Sequence, residues 1–235
     1  MLRRPRERRD GGHRNVFAMA GRPAFDPWRD RLESLVAGPP ADPGGAVVVL
    51  CAHPCDPVLS VGGWLGRQTD REVTFVHTCE EARDHDAMLG GLDELGISDV
   101  RVSALSVTDL HRTDDLAAAV ADATSTAALV LAPFADDGHP EHEALGRAAV
   151  SACQDGTPLW QLPLWAWAAA RPDGQPWLGS LRRLDGESAA RHRKRAALRL
   201  LCSGGGALCG DDSGSAHLDQ VVMRHALFAP EAVVV

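Results

Sequence analysis

Two short clusters in this chain carry residues that can do chemistry. His53 and Asp56 stand three apart in "AHPCDP", residues 52–57, and His139 and His142 stand three apart in "GHPEH", residues 138–142. Two imidazoles and one carboxylate suit Zn²⁺ or another divalent metal, and three protein ligands leave a position for water, as a catalytic zinc requires. Cys55 lies inside the first cluster. A thiolate is a soft ligand whose free pKa of ~8.5 falls near a metal. Cys55 can therefore act as a fourth ligand and close the site, or point away from it. Asp136, Asp137 and Glu141 surround the second cluster. Each reads either as a solvated loop charge or as a base able to deprotonate a water.

Alternating elements position these clusters. Apolar runs at 46–52, 72–78, 99–105 and 127–134 read as strands; 58–68, 83–97, 113–125 and 142–154 read as helices. A Thr113 cap begins the third helix and Gly96 closes the second. Continuous apolar strands separated by helices predict a parallel sheet covered on both faces. The expected fold class is α/β, a Rossmann-like three-layer sandwich with a mostly parallel sheet. His53 follows the first strand and "ADDGHPEH" the fourth, and ligands in such sheets bind beyond the carboxyl ends of the strands, where strand order reverses.

The flanks are less regular. "DPWRDRLESLV" has helical spacing, with Trp28, Leu32 and Leu35 on one face. After residue 155 come four tryptophans within eighteen residues, a basic helix at 187–202, a helix at 217–228 and a final strand in "EAVVV". Trp160, Trp165 and Trp167 pack the sheet or its cover; Trp165 and Trp167 are also candidates to line a pocket, because an indole face stacks on sugars. The six arginines of "MLRRPRERRDGGHRN" mark residues 1–25 as a disordered basic tail, with Met19 an alternative start, and residues 26–235 as a single domain.

Composition excludes several classes. The net charge of −8 argues against general nucleic-acid binding. No apolar run approaches the ~18–20 residues of a membrane span. Six cysteines without a C-x-x-C pair or a secretory signal read as reduced thiols of a cytoplasmic protein. Abundant alanine and a single lysine point to a high-GC bacterial genome.

"VVVLCAHPCDPVLSVGGWL" resembles the opening motif of the LmbE-like (GlcNAc-phosphatidylinositol de-N-acetylase, PIG-L) superfamily, whose usual form is "AHPDDE" after a strand, followed by a Gly-Gly pair. "DDGHPEHEALGRAA" is similar to its second motif, and "HTCEEARDHDAMLGGLDELGI" to the segment between. The resemblance spans about residues 46–235. It implies a zinc-dependent N-deacetylase or amidohydrolase acting on a small N-acylated substrate: an amino sugar, a thiol conjugate or a secondary metabolite. It implies His53, Asp56 and His142 as metal ligands, His139 as stabiliser of the oxyanion or proton donor to the leaving amine, and Arg83 as a substrate contact. Cys55 replaces the general-base aspartate, Pro57 the motif's glutamate and Asp86 a later glutamate; the chain has no tyrosine. Glu141 is a candidate substitute base. The alternative is a family member that binds a metabolite or partner without hydrolysis. A weaker third reading makes Cys55 a reactive nucleophile.

Overall fold

The apolar run after Gly45 forms β1 (Val47–Cys51), with every residue buried. In the computed structural model, which describes residues 27–34, 38–78, 82–97, 100–105, 113–154, 156–184, 188–203 and 216–235, β2 (Val73–His77) and β4 (Leu129–Pro133) pair with β1 in parallel on its two sides. β3 (Val100–Ala104) extends the sheet beyond β2, and β5 (Leu159–Leu162) beyond β4, both parallel. β7 (Ala232–Val234) and β6 (Leu181–Arg183) complete one edge antiparallel. The seven strands run in the order β3-β2-β1-β4-β5-β7-β6. Strand order therefore reverses between β1 and β4, where both histidine clusters emerge.

Alternate residues of β1 face opposite layers, as the pleat requires. Val47, Val49 and Cys51 pack with α2 (Asp56–Leu65), α3 (Ala82–Glu94), α7 (Ser188–Ser203) and α8 (Ala216–Phe228). Val48 and Leu50 pack with α4 (Thr113–Thr124) and α5 (Pro140–Ala152). A third apolar cluster lies at the antiparallel edge. There Trp28 and Leu32 of α1 (Pro27–Glu33) meet Trp167 of the short α6 (Ala166–Ala169) and Trp177 of a 3₁₀ turn, Pro176–Ser180. The tail at 1–25, Leu35, Cys79 and Cys209, and the side chains of Arg83, Thr113 and Cys202, lie outside the described residues.

Two helices begin earlier than their periodicity predicts. α2 starts at Asp56 rather than 58, and α5 at Pro140 rather than 142. Each carries a proline in its opening positions, where the fixed φ favours helix and no N–H is lost. The shift matters because it places Asp56 and His142 in first turns at the sheet's carboxyl edge.

The Gly-Gly pair sits at a break inside α2. Val61 leaves helical geometry at φ −127°, ψ 23°. The carboxylate of Glu231 accepts hydrogen bonds there from the Gly63 and Trp64 amides at 2.6 and 2.8 Å. A Cβ on residue 63 would stand 3.0 Å from a Glu231 oxygen, so any larger residue there would push the carboxylate back by a few tenths of an ångström. Lys194 donates to the same carboxylate at 2.8 Å and to the Ser60 carbonyl at 3.4 Å. The basic helix of the sequence thus buries its lysine, which is only 3% exposed, and the pair braces both sides of the break behind Asp56.

Candidate metal centre

The turn after β1 brings its two polar side chains together by its own hydrogen bonds. The Asp56 amide donates to the His53 carbonyl at 3.2 Å, and the His53 amide donates to Asp56 Oδ2 at 2.7 Å. Gly138, at φ +86°, adopts a left-handed turn favourable to glycine and delivers His139 to the N-terminus of α5. His142 follows in its first turn.

Three ligand atoms meet across these loops. His53 Nδ1 lies 3.2 Å from His142 Nε2 and 3.6 Å from Asp56 Oδ2, and His142 Nε2 lies 3.3 Å from Asp56 Oδ2. Ligand atoms around a tetrahedral ion with bonds of about 2.0–2.1 Å stand about 3.3–3.4 Å apart. The triangle has that size. Asp56 Oδ1 is buried without a hydrogen-bond partner, a costly state for a carboxylate oxygen that a cation relieves. His53, Asp56 and His142 therefore form a group able to hold a metal ion.

Each histidine of the trio is turned by a carboxylate. His142 Nδ1 donates to Asp137 Oδ2 at 2.7 Å, which leaves Nε2 facing the triangle. His53 Nε2 lies 2.9 Å from Glu141 Oε2, which leaves Nδ1 facing it. Such partners fix the tautomer and orientation of metal-binding histidines. Asp137 is not a solvated loop charge. It is 1% exposed and accepts the amides of Leu164, Trp165 and Ala166 at 2.7, 3.1 and 3.0 Å.

The electrostatics follow from this packing. Burial opposes ionisation of Asp56, but His142 and His53 outweigh it and hold its carboxyl well below the usual range. Burial likewise opposes charge on His142; the Asp56 carboxylate and the Asp137 hydrogen bond outweigh it and push the imidazole up to about 10. The hydrogen bond from His53 lowers the pKa of Glu141, against its partial burial. His139 shifts the other way: burial, then the neighbouring His142 and His53, lower its pKa.

His139 touches the trio ring to ring, 5.2 Å from His53 and 4.8 Å from His142 between centroids. Its Nδ1 is buried without a hydrogen-bond partner. Trp165 stacks on it at 5.4 Å and 28°. Trp165 thus presents one indole face to His139. Trp167 is buried in the third apolar cluster, stacked on His225 and edge-on to Trp28. Cys55 is 6% exposed, and its side chain belongs to the apolar core with Cys51 and Val58. Among the described residues, neither group able to hold a metal includes it. Arg83 lies in the first turn of α3, with its side chain outside the described residues.

No family model and no curated protein matches the sequence. Solved structures do. The chain shares its fold with a teicoplanin deacetylase. The zinc-inhibited form of teicoplanin deacetylase Orf2 superposes with a TM-score of 0.50 at 19% identity, covering 66% of this chain and 83% of that one. A deacetylase–bog complex from teicoplanin biosynthesis gives 0.51 at 18% identity, covering 66% and 83%. A conserved protein from Thermus thermophilus gives 0.50 at 18% identity, covering 80% and 93%. Among the described residues no helix is long and apolar enough to cross a membrane.

Proposed function

We propose that the protein is a zinc-dependent N-deacetylase or related amidohydrolase acting on a small N-acylated substrate: an amino sugar, a thiol conjugate or a secondary metabolite. The observation that carries this reading is the triangle of His53 Nδ1, Asp56 Oδ2 and His142 Nε2, with its orphaned carboxylate oxygen. The sequence motifs and the deacetylase fold support it.

A divalent ion held by these three residues supplies Lewis-acid polarisation of an amide carbonyl and a water of lowered pKa. The chain's residues supply the rest. Asp137 and Glu141 hold the two imidazoles in the ligating tautomer. Glu141, with its side chain 43% exposed and its Oε2 at His53, takes a proton from the water. His139, packed on Trp165, donates a hydrogen bond to the developing oxyanion, or, once it has received the proton released by the water, passes that proton to the leaving amine. Arg83 contacts the substrate.

The second reading is a metal-binding member without hydrolysis. It is favoured by the burial of the Cys55 sulfur in the core, where the family carries its base. The deciding experiment measures metal content and acetate release over a panel of N-acetylated amino sugars and thiol conjugates. Stoichiometric zinc with turnover supports the hydrolase. Bound zinc without turnover in the native protein selects the second reading, and activity created by Cys55→Asp in that case shows that the native protein had lost its base.

A further inference from the structure

A second group of ligand atoms lies beside the first. His53, His139 and Glu141 offer donors that all fall within 4.8 Å of one another. The two groups use opposite edges of the same ring. His53 Nδ1 belongs to the buried triangle, while Nε2 faces Glu141 Oε2 at 2.9 Å. The third member supplies an independent observation: His139 Nδ1 is buried and has no hydrogen-bond partner, although the ring is fixed between His53, His142 and Trp165.

We infer that His53, His139 and Glu141 form a second, weaker divalent-cation site at the mouth of the first, bridged to it by the His53 ring. Two imidazole nitrogens and a carboxylate oxygen are again a zinc-type donor set. The difference in strength follows from the surroundings. Asp56 and His142 have side chains 6% and 1% exposed, whereas Glu141 is 43% exposed, so water competes for the outer site. The outer ion must also displace the Nε2 proton of His53, which passes to solvent and leaves the ring bridging two ions as an imidazolate. Its negative charge and that of Glu141 balance the incoming cation. The inner ion needs no such loss from His53.

The site is regulatory, and this part rests on the proposed hydrolase reading. An ion on His139 and Glu141 occupies the proton donor and the base together, so excess metal inhibits in step with filling of the outer site.

Metal-free protein titrated with ZnCl₂ in a non-chelating buffer, followed by calorimetry and equilibrium dialysis, tests it. The expected result is two equivalents, one tight and one weak. His139→Gln removes the weaker equivalent and keeps the tight one, Glu141→Gln removes the weaker equivalent and weakens the tight one by the ~10–100-fold of a lost histidine partner, and circular dichroism confirms that both variants fold. Asp56→Asn removes the tight one. A single equivalent in the native protein, or a weak equivalent that persists in both outer variants, overturns the inference while the hydrolase reading stands. Failure to bind any tight equivalent overturns both.

Discussion

The substitution Asp137→Asn tests how the centre is oriented. The carboxylate makes four contacts: Oδ1 accepts from Leu164 and Ala166, and Oδ2 accepts from Trp165 and from His142 Nδ1. An asparagine keeps one oxygen. If that oxygen stays at the Oδ1 position, the Trp165 amide loses its acceptor, at about 1–3 kcal/mol. The new NH₂ then faces His142 Nδ1, which must become an acceptor. The imidazole proton moves to Nε2, into the metal triangle. If the oxygen takes the Oδ2 position instead, the Leu164 and Ala166 amides are both orphaned, at about twice that cost. The first arrangement wins, and with it the wrong tautomer. The expected result is a metal-free protein less stable by about 1–3 kcal/mol, with metal affinity reduced about 10–100-fold. Chelator competition measures the affinity, and urea unfolding of the metal-free form measures the stability. A variant that loses stability but binds metal as tightly as the native protein refutes the reasoning. Asp137 would then only pin the 164–166 loop.

Four further results are expected. Because His142 is pushed up to about 10 in the metal-free site, metal binding at pH 7.5 releases a proton, which calorimetry in buffers of different ionisation enthalpy reads directly. The same raised pKa stabilises the metal-free fold fully below pH ~6.5, and that contribution is lost as pH rises through about 10; urea midpoints across this window check the sign. Lys194→Met and Glu231→Gln each leave an uncompensated charge or donor in the core and cost about 3–5 kcal/mol in urea unfolding, whereas the double variant costs clearly less than their sum. Cys55→Ala retains one tight zinc equivalent by equilibrium dialysis, because the sulfur packs in the core and not with the ligand trio; loss of that equivalent would show the thiol to be a ligand.

What the sequence discloses depends on how local each cause is. β1, β2 and β4 are legible because both faces of each are covered, which makes their apolar runs nearly continuous. The trio is legible because each half is a tight turn at a strand end, with His53 and Asp56 three residues apart. Asp137 reads as one more polar residue in a polar loop. Its partners at 164–166 lie 27–29 residues away, and only the pairing of β4 with β5 brings them beneath it. Lys194 is hidden in the same way among arginines, since the Glu231 carboxylate that neutralises it lies 37 residues on. The antiparallel edge is masked by a tryptophan-rich segment in which β5 and β6 are only four and three residues long. Cys55 is a different case. Its residue type suggests a ligand, but α2 begins at Asp56 rather than two residues later. In that register Asp56 faces the histidines, and the cysteine before it packs against the apolar side of β1. The residue that breaks the motif therefore packs with the core, while the ligand trio is completed without it.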